Sequence, residues 1–408
     1  MTKPTFAVTL DDIRAARERI GSAITRTPLA QSENLSKICG NRVYCKLENL
    51  TVTGSFKERG ALNKLLQLSA EEKAAGVIAA SAGNHAQGVS YHAQRLGIAA
   101  TIVMPARTPL IKVTAVKSHG AEVVLHGANY DDAYEKAVEL QKERKLTFVH
   151  PFNDAAIIAG QGTVGLEILE QLPEVDVIVV PIGGGGLAAG IAVAVKSQRP
   201  DVLISGVQAK RIAAMDASLA KGELVTLAGA RTLAEGISVR TPGALTFPIV
   251  NEYVDGVVTV DEEEIASSVL LLIEKEKTVV EGAGATTLAA LVNDRLPLSG
   301  KRVVLVLSGG NIDVNVLARI IERGLVKDGR MVRFTVRIQD VPGTLATLTG
   351  LLAELQANIL EIYHNRAFSK ADLAETEVEL TLETKGTDHI EQIGARLRKK
   401  GYTVIQEG

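Results

Sequence analysis

The sequence predicts an α/β protein with two parallel sheets, followed by a small domain of β-α-β-β-α-β order. Three observations carry that prediction. Between Val77 and Leu307, short and continuously apolar runs alternate with helical patterns, as parallel strands covered on both faces require. After Gly324 the character changes, because Lys327-Asp328-Gly329-Arg330 is a polar, glycine-containing linker. Beyond it, Met331–Gln339 alternates apolar and polar residues as a half-buried strand does. Domains are therefore expected at 1–326 and 327–408, the first with a smaller lobe, about 55–155, inserted in a larger one.

Asp11–Ile20 reads as an amphipathic helix, Thr27-Pro28-Leu29 as an extended entry, and Val43–Lys46 as a short strand. Strands follow at Val77–Ala80, Ala100–Met104, Glu122–Leu125 and Thr147–Val149, with helices starting near His85, Pro109 and Tyr130 between them. The pattern resumes with helix Gly162–Gln171, strand Val175–Ile182, helix Leu187–Lys196 and strand Val202–Val207. Strand Gly256–Val260, helices Glu262–Glu276 and Ala283–Val292, and strand Arg302–Leu307 complete the first domain. In the tail, helix Gly343–Ala357, strands Ile359–Ala367 and Glu375–Thr384, helix His389–Lys400 and strand Tyr402–Ile405 give the ferredoxin-like arrangement.

Composition narrows the function classes. Hydrophobic residues at 46% and charged residues at 23% of 408 are those of a soluble globular chain. A net charge of -2, 3% aromatics and no Trp argue against a nucleic-acid partner. The first twenty residues hold no apolar signal segment, and Val175–Ile182 is long enough only for a buried strand, so no membrane association and a cytoplasmic location are expected. Cys39 and Cys45 have neither metal-type spacing nor a disulfide framework and read as free thiols. The seven histidines form no metal spacing either, so no metal is expected.

Four stretches carry chemistry. In Thr53–Gly60 (TGSFKERG), Lys57 follows a Gly-Ser pair and opens an apolar helical run, with the flat face of Phe56 beside it. A helix start disfavours an ammonium, and a lysine whose pKa falls on burial is suited to imine formation. Alone, the stretch fits a solvated surface lysine slightly better. Ser81-Ala82-Gly83-Asn84-His85 sits after a strand, where small residues and helix-start amides can hold a carboxylate and Asn84 can reach a hydroxyl. Gly183-Gly184-Gly185-Gly186-Leu187 follows the longest apolar strand, and four consecutive glycines imply a phosphate cradled by amides. A dinucleotide site expects an acidic residue after the next strand, but Gln208 stands there, and no Walker lysine follows. Ser308-Gly309-Gly310-Asn311 places a hydroxyl at a strand end, where it can bond a heterocyclic nitrogen.

A reactive lysine, a phosphate cradle and a serine for a ring nitrogen describe pyridoxal 5'-phosphate. Thr53–Gly60, Ser81–Gly88, Gly183–Leu187 and Ser308–Asn311, in this order, resemble the threonine dehydratases of the tryptophan-synthase-β-like, fold-type-II pyridoxal-phosphate enzymes. The resemblance covers about residues 5–325, and the tail, with Asp340-Val341-Pro342-Gly343-Thr344-Leu345 at its first turn, resembles one ACT regulatory domain. It implies that Lys57 binds the cofactor covalently and serves as general base, and that Phe56 packs by the ring. Asn84 would bond the ring hydroxyl oxygen, Gly183, Gly184, Gly185, Gly186 and Leu187 the phosphate, and Ser308 the ring nitrogen. Ser81, Ala82, Gly83, Asn84 and His85 would clamp the substrate carboxylate, with the cofactor phosphate as acid for the leaving hydroxyl.

The implied reaction is the threonine ammonia-lyase reaction (EC 4.3.1.19), L-threonine to 2-oxobutanoate and ammonia, with a side activity from L-serine to pyruvate. It would serve isoleucine biosynthesis or threonine catabolism. The alternatives are a serine racemase or 3-hydroxyaspartate dehydratase of the same fold, and a non-enzymatic amino-acid sensor. Racemase-type relatives carry a serine before the loop glycine, where Ala82 stands, and an acidic metal ligand, where Gln208 stands. The tail implies an allosteric amino-acid effector, isoleucine or valine, bound by Asp340, Pro342, Gly343 and Leu345 in a homo-oligomer, dimer or tetramer.

Overall fold

Capping residues set where several helices begin. Thr9 closes a capping box with Asp12 ahead of Leu10–Ile20, and Asn129 does so with Asp132 ahead of Tyr130–Arg144. The Asp154 carboxylate accepts from the Ala156 and Ile157 amides and starts Ala155–Gln171. Each such cap contributes about 1 kcal/mol. The computed structural model describes residues 6–366, 372 and 374–407. They form two units, one ending at Ile312 and the other beginning at Asp313.

The first unit holds two sheets. Six strands lie in the order Leu29–Ser32, Arg42–Leu47, Arg302–Leu307, Val177–Pro181, Leu203–Ala209, Gly256–Val260. All are parallel except Leu29–Ser32, which pairs antiparallel with Arg42–Leu47 at the edge. The second sheet, in the order Glu122–Leu125, Ala100–Met104, Val77–Ala80, Thr147–Phe148, is parallel throughout. Val77–Ala80 and Val177–Pro181 are buried along their whole length, as central parallel strands must be.

Several boundaries differ from the sequence expectation, each for a local reason. The helix expected from Gly162 begins at Ala155. Its glycines lower helix propensity but are points of helix contact. A Cβ on Gly160 would lie 2.6 Å from the Gly60 Cα, and one on Gly162 would lie 2.9 Å from the Gly190 oxygen. Bare backbone there lets Ala155–Gln171 press against Lys57–Leu66 and Gly186–Lys196. The strand expected to stop at Val207 continues to Ala209, so Gln208 lies inside it. Glu262–Glu276 is α-helical to Leu271 and then widens into a π turn, Leu272–Glu276. The extended entry at Leu29 is a strand, and helices Glu33–Cys39, Ala70–Ala75, Ala214–Lys221 and Thr246–Tyr253 fill connections that the sequence reading left unassigned.

The second unit opens with helix Val314–Lys327. Its sheet is antiparallel, in the order Asn358–Asn365, Glu375–Glu383, Met331–Gln339, Thr403–Glu407. Helices Thr344–Glu354 and Thr387–Lys399 supply Leu348, Leu352, Ile393 and Leu397 to a core shared with Val332, Phe334 and Val336. The strand expected to reach Ala367 is described to Asn365, and Ala367 lies outside the described residues, as do residues 1–5 of the expected signal-free start. Among the described residues no helix is long and apolar enough to cross a membrane.

Candidate active site

Lys57 opens the helix Lys57–Leu66, and the segment before it is stitched to the serine loop. The Phe56 amide donates to the Ser308 carbonyl at 3.1 Å, and the Gly310 amide donates to the Gly54 carbonyl at 2.9 Å. Gly54 has φ +71°, and a Cβ there would lie 2.7 Å from Asn311 Oδ1, so glycine is required twice over. The Lys57 Nζ donates to the Pro151 carbonyl at 2.7 Å and lies 5.2 Å from the centroid of the Phe56 ring. Burial brings the Lys57 amine down to about 8, against the opposing pull of Glu281.

The carboxyl ends of the parallel strands converge on one cavity, where such sheets bind their ligands. Lys57, Phe56, Asn84, Gly183, Gly184, Gly185, Gly186, Leu187 and Ser308 all line it, together with Phe152 and Glu281. The glycine run is forced by its neighbours. A Cβ on Gly184 would lie 2.4 Å from the Phe152 ring, one on Gly183 2.9 Å from the Ile237 Cα, and Gly185 has φ +94°. The amide N–H groups of Gly183 through Leu187 meet no acceptor among the described residues, at the start of helix Gly186–Lys196. Unused amides at a helix start form an anion site.

Of the expected carboxylate loop, Asn84 lines this cavity, whereas Ser81, Ala82, Gly83 and His85 are not part of its lining. The Gly83 amide donates to Ser81 Oγ at 3.2 Å, while the amides of Ala82, Asn84 and His85 find no acceptor among the described residues. The His85 ring is occupied structurally, its Nε2 being 2.8 Å from the Val149 carbonyl. Burial, reinforced by Lys57, pushes His85 down to about 3, and burial likewise pushes His150 to about 4. Both rings are neutral at neutral pH. In the second unit, Asp340 is not free: Arg366 Nε donates to both its carboxylate oxygens at 3.0 Å. Pro342 is exposed, Gly343 has φ +93° before helix Thr344–Glu354, and Leu345 packs on the core.

Residues 20–309 match the family described as "Pyridoxal-phosphate dependent enzyme", and residues 332–401 match the ACT domain. The chain belongs to the pyridoxal-phosphate dependent enzymes. It is 51% identical over 397 residues to the L-threonine ammonia-lyase of Thermotoga maritima, covering 97% of this chain and 99% of that one. Among solved structures it is similar to the threonine deaminase of T.th., with TM-score 0.71 and 44% identity over 75% of this chain and 99% of that one. It is similar as well to maize serine racemase, with TM-score 0.74 and 35% identity over 79% of this chain and 99% of that one.

The cavity fits the cofactor of this family of pyridoxal-phosphate enzymes. Amides without acceptors suit a phosphate, a desolvated amine suits an aldehyde, and the Ser308 hydroxyl, buried and without a described partner, suits a ring nitrogen. Gln208, by contrast, is wholly engaged: its Nε2 donates to the Ile182 carbonyl at 3.0 Å and its Oε1 accepts from the Asp216 amide at 2.9 Å.

Six residues that took no role in the sequence reading gather here: Glu281, Asn311, Arg59, Glu48, Glu167 and Lys46. Glu281 and Asn311 join Asn84 by hydrogen bonds of 2.7 and 2.8 Å. Two residues after Lys57, Arg59 is buried with Glu48 and Glu167, and Lys46 is buried against Glu167. The available signal was a charge within an apolar pattern, as at Lys46 in its strand. Glu281 gave less, since an acidic residue at a helix start reads as a charge suited to the positive end of the helix dipole.

Proposed function

We propose that this enzyme is a threonine ammonia-lyase that converts L-threonine to 2-oxobutanoate and ammonia, and L-serine more slowly to pyruvate. The observation that carries the reading is the 51% identity, over 97% of the chain, to a relative named for that reaction. The cavity chemistry agrees. The bound cofactor supplies an electron sink for the pair left at Cα when its proton departs. Lys57 would hold the cofactor and would serve as the base for that proton, since its lowered pKa leaves a useful neutral fraction. Phe56 would pack beside the ring, Asn84 would donate to its hydroxyl oxygen, and the amides of Gly183 to Leu187 would hold the phosphate, all of them bordering the cavity. The loop amides of Ala82, Asn84 and His85 receive the substrate carboxylate, with Ser81 and Gly83 shaping the turn. Ser308 would offer the ring nitrogen a neutral hydroxyl, which would not keep it protonated and so would favour prompt loss of the β-substituent. Water leaves, and hydrolysis of the released enamine gives the oxo acid and ammonia.

The fold is shared with serine racemase; Ala82 and the engaged Gln208, where the racemase-type pattern has a serine and an acidic metal ligand, support the lyase reading. We place catalysis in residues 1–326 and regulation by an amino acid in 327–408, in a cytoplasmic homo-oligomer with Cys39 and Cys45 reduced. The test is a chromatographic assay of L-threonine and L-serine with the purified enzyme. The expected products are 2-oxobutanoate and pyruvate, in the presence or absence of EDTA. D-serine formed at a rate comparable with pyruvate, and dependent on Mg²⁺, overturns the assignment.

A further inference from the structure

One line of hydrogen bonds joins the lysine, asparagine and serine loops that border the cavity. Asn311 Nδ2 donates to the Thr53 carbonyl and to Asn84 Oδ1, both at 2.8 Å. Asn84 Nδ2 donates to Glu281 Oε1 at 2.7 Å, and the Glu281 amide donates to the Gly309 carbonyl at 3.0 Å. The line has a direction. Turning the Asn84 amide over would set its NH2 against that of Asn311 and its oxygen against a carboxylate.

Space has been left for this line. A Cβ on Gly309 would lie 2.8 Å, and one on Gly236 3.0 Å, from Glu281 Oε1, while one on Gly54 would lie 2.7 Å from Asn311 Oδ1. Glu281 stands at the N-cap position of helix Gly282–Val292, yet its side chain makes no capping bond. A buried carboxylate is costly, and a helix cap does not account for this one. Its described side-chain partner is the Asn84 amide, whose second N–H has no described acceptor, on a residue that lines the cavity.

We propose that Glu281 is a positioning residue for the cofactor: it fixes the Asn84 amide so that the second N–H donates to the cofactor's ring hydroxyl oxygen. The proposal rests on the cofactor site set out above. It treats Glu281 as acting through Asn84, with Asn311 holding the other end of the same amide. A carboxamide at 281 keeps an acceptor oxygen and preserves the arrangement, whereas a side chain without an acceptor releases it.

The test measures pyridoxal phosphate affinity of the apo full-length chain by titrating its visible imine absorbance, beside the thermal midpoint of each apo variant. Glu281→Ala is expected to weaken binding about tenfold or more, and Glu281→Gln to stay within about threefold of the native chain. Asn84→Ala is expected to lose as much as Glu281→Ala, and the double variant no more than either, since both remove one interaction. Fold losses that multiply in the double variant overturn the proposal, as does a Glu281→Ala chain that binds normally. If Glu281→Ala does not fold, Gly236→Ala displaces the same carboxylate without deleting it, and the same cycle with Asn84→Ala decides. The cofactor site itself is checked separately by reducing the native holoenzyme with borohydride. No pyridoxyl adduct on Lys57 sinks the underlying reading, whereas an adduct together with multiplying losses sinks the role of Glu281 alone.

Discussion

The Lys57 Nζ donates to the Pro151 carbonyl at 2.7 Å, so the reactive amine is held on a backbone oxygen within its own cavity. Burial lowers its pKa to about 8, and at pH 7 roughly a tenth of the amine is neutral, far more than for a solvated lysine. The neutral fraction grows as pH rises through 8. The apo chain is therefore expected to react with pyridoxal phosphate faster as pH goes from 7 to 9, by about fivefold or more, measured by stopped-flow absorbance. Lys57→Ala is expected to abolish both the imine absorbance and turnover while its circular dichroism stays native. A pyridoxyl adduct on any other lysine counts against the assignment.

Two residues after that lysine, Arg59 holds Glu48 and Glu167 with virtually no exposure of its own. Removing one member leaves its partners charged and buried, which costs about 3–5 kcal/mol, more than the pair itself is worth. Arg59→Met is expected to lower the urea midpoint of the apo chain accordingly. An unchanged midpoint would show that water already solvates these carboxylates.

Helix contact gives a second stability test. A Cβ at Gly160 meets the Gly60 Cα at 2.6 Å, backbone against backbone, whereas one at Gly83 meets nothing within 4 Å. Gly160→Ala is expected to cost about 1–3 kcal/mol by overpacking. Because it lifts the helix that begins at Lys57, it should also weaken cofactor binding. Gly83→Ala serves as the spatial control, and equal destabilisation by the two variants argues against the contact.

The parallel strands of the first two sheets were legible because they are short apolar runs, and their order placed the lysine, asparagine, glycine and serine loops at carboxyl ends. Such local patterns carry no information about partners distant in the chain. Asn84 and Glu281 are 197 residues apart, and nothing near either predicts their contact. Gly160 and Gly162 lower helix propensity, although tertiary packing is what requires them. Leu29–Ser32 was missed as a strand because it pairs only along one edge and lacks an apolar run.

Glu281 gives a pH dependence whose sign follows from burial. Burial raises its carboxyl to about 7; Asn84, Lys112 and Lys57 act against that shift and Glu235 with it. A folded-state pKa above the unfolded value contributes stability that is fully present below about 4.5 and is lost as pH rises through 7. Glu281→Gln has no such proton to lose. The thermal midpoint of its apo form is expected to gain on the native apo chain between pH 4.5 and 7.5, the gap closing at the acid end. Parallel midpoints across that range reject the raised pKa.

The last prediction concerns the ACT domain. Its first turn opens helix Thr344–Glu354 through Gly343 at φ +93°, and the amides at that helix start can receive the carboxylate of a free amino acid. Asp340 is paired with Arg366 at 3.0 Å, so an incoming ammonium must share or replace that partner. Replacement exchanges one exposed ion pair for another, and such pairs are worth about 0–1 kcal/mol, so the exchange is no barrier. Asp340→Ala is then expected to weaken binding of isoleucine or valine severalfold, read by calorimetry on the intact chain. A chain lacking 327–408 is expected to keep its cofactor absorbance and threonine turnover and to lose any response to either amino acid. An effector that shifts substrate affinity tenfold supplies about 1.4 kcal/mol of coupling, enough to see in a substrate titration. A truncated chain that still answers the effector places the regulatory site in the catalytic unit instead.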